Sequence, residues 1–306
     1  MYFASLWNSI PGVIAQGLIW GLMSIGVYIT YKVLDIADLS VDGSIATGGA
    51  VCAVMMANGY NVWTSILVAT LAGVLAGLAT AIFHVFMGIP AILAGILTQL
   101  SLYSVNLKII GKANISLPVR KYDVLVSMQY LKNVPFYKNS VLIVLLFNVA
   151  VILLLYWFFG TSLGCGIRAT GCNIKMAKAQ GINTDLNKII GLALSNGLVA
   201  LAGALLTQYQ GFADVSMGRG AIVIGLAAII IGEAIFGKLL RFNFALKLFQ
   251  VALGGVVYFF VYQAVILAGL DADLLKMLSA IVVAVFLAIP YLKETYFTKS
   301  KVRGTK

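Results

Sequence analysis

Residues 139–160 read Asn-Ser-Val-Leu-Ile-Val-Leu-Leu-Phe-Asn-Val-Ala-Val-Ile-Leu-Leu-Leu-Tyr-Trp-Phe-Phe-Gly, and no charged side chain occurs between Lys138 and Arg168. A helix needs about 20 apolar residues to cross the hydrocarbon core of a bilayer, and this run supplies them. Eight similar runs flank it, at about 12–33, 43–59, 61–87, 90–109, 187–208, 220–237, 245–268 and 273–291. The 306-residue chain is 61% hydrophobic and 10% charged, against about 45–50% and about 25% in soluble domains. No soluble core could hide that much apolar surface. The expected fold is all-α and polytopic, with about nine transmembrane helices. The second, fourth and seventh runs are short or punctuated by glycine, which suits broken or re-entrant segments.

The formal net charge of +11 comes from residues between the runs and at the C-terminus. Topology explains that placement, and nucleic acid is not an expected partner. With the N-terminus outside, the larger basic set falls inside: Lys32, Arg168, Lys175, Lys178, Lys188, Lys238, Arg241, Lys247 and the C-terminal cluster. Lys112, Arg120, Lys121, Lys132 and Lys138 fall outside, against the trend. They suit either docking of an acidic binding protein or anchoring to lipid head groups. No basic residue precedes Lys32, so the N-terminus does not read as a secretory signal peptide. Cys52, Cys165 and Cys172 are odd in number and form no C-x-x-C, which suggests neither a disulfide framework nor a zinc site. The single histidine, His84, borders an apolar run and reads as structural.

An internal echo divides the chain. Ala37-Asp38-Leu39-Ser40 recurs 176 residues later as Ala213-Asp214-Val215-Ser216, and the same shift lays Gly21 on Gly197 and Gly49 on Gly225. It superposes the first run on the sixth and the second on the seventh. Five crossings separate each pair, so the halves are expected to be inverted repeats, a design that places the solute path at their interface. Repeat one covers about 12–111, a connector helix with a polar segment about 139–182, and repeat two about 187–291. Gly17/Gly21 and Gly73/Gly77 are spaced for close helix packing, within the subunit or across a dimer.

The polar segment Arg168-Ala-Thr-Gly171-Cys-Asn173-Ile-Lys-Met-Ala177-Lys-Ala-Gln-Gly181-Ile182 lies on the expected inner side. Asn173 can cap a short helix that Gly181 stops. The pattern R-A-x-G-x-N-x-x-x-A-x-x-x-G-I resembles the cytoplasmic coupling segment of ABC importer permeases of the branched-chain amino-acid and ribose permease family. Ala37 to Ser44, Leu93 to Thr98 and Tyr103 to Leu107 add to the resemblance, closest to the tryptophan/tyrosine-type branch. The resemblance implies that Arg168, Ala169, Gly171, Asn173, Ala177, Gly181 and Ile182 dock an ATPase subunit. It also implies a second permease copy, two ATPases carrying ATP and Mg, an extracellular or periplasmic solute-binding protein, and residence in the bacterial cytoplasmic membrane. The implied solute is a small molecule, an aromatic amino acid for preference.

Polar residues in or beside apolar runs are costly and tend to mark pathways. Asp38, Ser40, Asp42, Thr98, Gln99, Asn106, Asn196, Asp214, Ser216, Arg219 and Glu233 are the candidates for a path or gate; Asp38 and Asp42 also read as caps of the second helix. No catalytic residue and no cofactor are expected on the chain. Gly232 to Lys238 fits G-x-x-x-x-G-K, but Leu239 stands where a Mg²⁺-binding Ser or Thr belongs. Two rivals remain: an ion-driven secondary transporter, which would have no use for segment 168–182, and an intramembrane aspartate enzyme.

Overall fold

The computed structural model describes residues 2–118, 122, 124–131, 139–237 and 243–267, with a few helical positions between 277 and 288; side chains are described from Ser9 onward. Ten α-helices follow in order: α1 (Tyr2–Tyr28, continued as a π-helical turn at Ile29–Val33), α2 (Val41–Ala57), α3 (Val62–Ala81, with a π-helical turn at Ile82–Phe86), α4 (Ala91–Ile110), α5 (Ser140–Gly160), α6 (Ser162–Cys172), α7 (Ile174–Ala179), α8 (Thr184–Gln210), α9 (Ala221–Phe236) and α10 (Phe244–Leu267). Short strands β1 (Asn114–Ser116) and β2 (Phe212–Asp214) pair antiparallel, Ile115 opposite Ala213.

Among the described residues, six helical segments are long and apolar enough to cross a membrane: Ser9–Val33, Val62–Phe86, Ala91–Ile110, Ser140–Gly160, Thr184–Gln210 and Phe244–Leu267. The second and seventh runs form the shorter apolar helices α2 and α9. The fourth run, by contrast, is one unbroken 20-residue helix. Most of the ninth run, 273–291, lies outside the described residues.

The repeat is visible in the packing. Tyr209 Oη of α8 donates to the Gly12 carbonyl of α1 (3.1 Å), and Ser195 Oγ donates to that of Gly26 (2.7 Å). Gly191 in turn faces the Leu34 side chain. Residue numbers rise along one helix as they fall along the other, so the two equivalent helices are antiparallel, as inverted halves require. Both turns after them close alike. Asp38 Oδ1 accepts from Ser40 N and Oγ (2.9 and 2.5 Å), and Asp214 Oδ1 accepts from Ser216 N and Oγ (2.6 and 2.5 Å).

Small residues let these helices meet backbone to backbone. A Cβ on Gly73 would overlap Ala200 and crowd the Asn196 carbonyl, and one on Gly77 would overlap the Leu192 carbonyl, which joins α3 to α8. Gly17 and Gly21 meet Val256 and Ala252 in the same way, joining α1 to α10. Both glycine pairs therefore pack within the subunit. Asn148 Nδ2 of α5 adds a bond to the Leu18 carbonyl (3.1 Å), giving a peripheral, lipid-suited helix a polar anchor on α1.

The two short helices settle the centre. α2 runs beside α8, with Ser44 at Asn196, Gly48 at Ala200 and Cys52 at Gln208. α9 runs beside α1 and parallel to it, hence opposite to α2, with Gly225 at Val27 and Glu233 at Lys32. They therefore diverge from a point where their N-termini meet. There Asp42 of α2 accepts from the backbone of Gly220 (2.9 Å) and Ile222 (2.9 Å) at the start of α9. The expectation that Asp42 caps its own helix is corrected: it caps the other half's helix, because the two N-termini abut. Asp38 does not cap α2 either. Ser40 stands at the N-cap and no side-chain cap bond forms.

Two outcomes test this arrangement. Gly73→Leu should overpack the α3–α8 contact and cost about 2–3 kcal/mol. Gly160→Leu, at a position with nothing within 4 Å of a Cβ, should be neutral; thermal unfolding in detergent compares them. Asp42→Ala should cost about 1–2 kcal/mol as a lost cap. Asp42→Asn, which keeps one acceptor, should recover part of that loss in the same assay.

Candidate functional site

The described candidate residues gather at three places. The first is a buried polar node midway along α8. Asn196 Nδ2 donates to Asp38 Oδ2 (2.8 Å) and to the Leu192 carbonyl (3.1 Å), and Asn196 Oδ1 accepts from Ser44 Oγ (2.5 Å) and lies 3.1 Å from Ser40 Oγ. Asp38, Ser40, Ser44 and Asn196 are all buried. A carboxylate this deep is tolerable only because each oxygen has a donor. A Cβ on Gly95 would come within 2.6 Å of Leu39 N, so α4 lies directly against this turn. Ser44 was not among the sequence candidates; its place one turn after Ser40 on the helix that follows Asp38 is the signal that could have found it.

The second place is a cavity of ≈340 Å³ lined by Asp42, Gly43, Gln99, Leu100, Tyr103, Asn106, Val215 and Arg219. It sits where the N-termini of α2 and α9 meet, walled on one side by α4. The Arg219 guanidinium lies 5.9 Å from the centroid of the Tyr103 ring. Asn106 is fully buried, and neither its Oδ1 nor its Nδ2 has a hydrogen-bond partner. Arg219 also lines a neighbouring cavity of ≈350 Å³ that includes Trp20, Tyr258, Phe259 and Tyr262. Thr98, the residue before Gln99, is bound instead to Thr80 Oγ1 of α3 (3.0 Å). Asp214 and Ser216 close the turn that leads into α9.

The third place is the end of the bundle that carries the polar segment. Asn173 Oδ1 accepts from Met176 N (3.0 Å), capping α7. Gly181 ends the helix at φ +76°, and Ile182 N donates to the Ala177 carbonyl (3.1 Å). The helix is therefore bounded by the residues the sequence indicated. α7 exposes Ile174, Lys175, Met176 and Lys178, and buries Ala177. Arg168 is exposed, 3.2 Å from Cys165 Sγ and 5.9 Å from the Phe244 ring centroid. Ala169 is half-buried. A Cβ on Gly171 would overlap the Val33 carbonyl, so α6 lies directly on the π-helical end of α1. Nearby, Lys32 Nζ pairs with Glu233 Oε2 (3.1 Å), which places Glu233 at the far end of α9 from the cavity.

Lys112 is exposed, while Arg120, Lys121, Lys132 and Lys138 lie outside the described residues. His84 Nδ1 lies 2.9 Å from the Ile89 carbonyl, in keeping with a structural role. Gly232 lies within α9, in a helix rather than in a phosphate-binding loop. No group of three metal-ligating side chains occurs among the described residues.

Comparison with known proteins agrees with this architecture. The family model described as "Branched-chain amino acid transport system / permease component" matches residues 9–291. The chain is 41% identical to a tyrosine transport system permease protein of Clostridioides difficile (strain R20291), over 92% of this chain and 91% of that one. It is 33% identical to the uncharacterized protein RP368 of Rickettsia prowazekii (strain Madrid E), over 92% and 97% of the two chains. A fructose import permease protein, FruF, of Bifidobacterium longum (strain NCC 2705) shares 26% identity over 93% of this chain and 80% of its own. No solved structure matches. The chain thus belongs to the family of branched-chain amino-acid transport permease components: it is a multi-pass protein of the bacterial cytoplasmic membrane and the permease of an ABC importer, in which the ATPase is a separate subunit.

Proposed function

We propose that this permease imports an amino acid, aromatic for preference, as one of two copies in a complex with two ATPase subunits and a solute-binding protein. The observation that carries the coupled mechanism is α7. It is a short helix capped at both ends that exposes an apolar and basic face. That face fits a groove on a partner, and a stand-alone transporter would have no use for it. The preference for an aromatic solute rests on the 41% identity to a tyrosine permease. In this reading the path runs past the meeting point of α2 and α9, and Asp38, Ser40, Asn196 and Asp42 hold the parts that move. Arg168, Ala169, Gly171, Asn173, Ala177, Gly181 and Ile182 shape the docking segment, whose contact surface is the exposed side of α7. The basic outer loop receives the binding protein.

Burial divides the roles within α7. Ala177 is 3% exposed, whereas Met176 is 63% exposed. Met176→Glu should leave the permease folded but lower ATP-driven uptake about tenfold or more, because it sets an unpaired charge in an apolar contact. Ala177→Glu should instead unseat α7 and reduce thermal stability. Uptake in reconstituted vesicles, co-purification with the ATPase and melting in detergent separate the two. Normal assembly and uptake by Met176→Glu would remove the docking face.

A further inference from the structure

The cavity beside α4 holds three features that call for the same kind of ligand. Two helix N-termini converge on it, and N-termini favour negative charge. Arg219 lines it with no described carboxylate within ion-pair distance; among the described residues the ion pair is Lys32–Glu233. Asn106 is fully buried on its wall with both amide atoms unpaired, which is costly unless something else binds there. Asp42 satisfies two N–H groups of α9, so part of the positive end is already neutralised by a resident carboxylate. Arg219, held against the Tyr103 face, is left over.

We infer that this cavity is a transient solute subsite on the translocation path: Arg219 binds the carboxylate of the passing amino acid and Asn106 offers its amide to the polar end. The remaining chemistry suits an amino acid. A carboxylate can take the guanidinium bidentately. Gln99, the Asn106 oxygen and the free lone pairs of Asp42 can accept from an ammonium. Leu100, Val215 and the Tyr103 ring present apolar surface to the side chain. The volume of ≈340 Å³ falls within the roughly 300–1,000 Å³ of small-molecule sites. The ligand class rests on the amino-acid reading proposed above; the anion site rests on the geometry alone.

The test has two arms on the intact permease–ATPase complex in vesicles. In the first, ATP-driven uptake of L-tyrosine is measured with its binding protein. Arg219→Gln and Asn106→Leu should each lower uptake about tenfold or more, and Arg219→Lys should retain part of it. The second arm reads charge at the cavity without transport. Gln99→Cys, in a background lacking Cys52, Cys165 and Cys172, is labelled with an anionic and with a cationic methanethiosulfonate reagent. Arg219 should favour the anionic reagent severalfold at low salt, Arg219→Lys should keep the preference, and Arg219→Gln should abolish it. Unchanged tyrosine uptake by both Arg219→Gln and Asn106→Leu would overturn the subsite. So would lost uptake with an unchanged labelling preference, since Arg219 would then act only by packing on Tyr103. A wild-type complex that keeps the anionic preference but imports no amino acid would overturn the ligand, and with it the solute reading on which the ligand rests.

Discussion

The bonds from Gly220 and Ile222 to the Asp42 carboxylate answer a constraint that shapes the rest of the molecule. α2 has 17 residues and α9 has 16, fewer than the roughly 20 a crossing needs. The free N–H groups of each first turn need acceptors, and in a bilayer an unmet one is costly. Placing the two N-termini together lets one carboxylate serve the other half's helix. It also concentrates positive potential at a single internal point. The close approach depends on glycine at Gly218, where any Cβ would overlap the Asp42 carbonyl.

Around that point, polar bonds fix the turns while glycine contacts fix the distances between helices. Asn196 ties the Asp38 turn to the middle of α8, and α8 is in turn locked to α3 through Gly73 and Gly77. In lipid the hydrophobic effect does not drive helices together, so backbone proximity and interhelical hydrogen bonds carry the association. The outer helices show the complement: α4 and α5 turn Leu93, Leu97, Leu146, Leu153 and Trp157 outward, a surface suited to hydrocarbon.

One mechanical line connects the docking segment to the centre. Gly171 of α6 touches the carbonyl of Val33, Gly191 of α8 touches Leu34, and Lys32 pairs with Glu233 at the end of α9. The other end of α9 is the one Asp42 caps and Arg219 precedes. With no room for a Cβ at Gly171, a displacement of α6 must carry the end of α1 with it or open a gap. The exposed Lys32–Glu233 pair is weak enough to break during such a movement, since surface ion pairs contribute about 0–1 kcal/mol.

Composition and apolar run length determined by themselves that the chain is a bundle of membrane helices, because those properties depend on transfer from water and not on which helix touches which. The repeated Asp-x-Ser of Asp38 and Asp214 was equally legible, since an Asx turn is closed by residues two apart and needs no distant partner. So was the α7 cap, built from Asn173 and Gly181 within one short segment. The partners of the long-range groups were not legible. Asp42 reads locally as a cap of its own helix, and only the meeting of α2 with α9 assigns it across 178 residues. Among the candidates, Thr98 is tied to Thr80, Glu233 to Lys32, and Asn106 is left unpaired beside Arg219. Those outcomes depend on helix crossings set by glycine contacts far apart in sequence, which is why tertiary structure alone decided where the polar cavity lies.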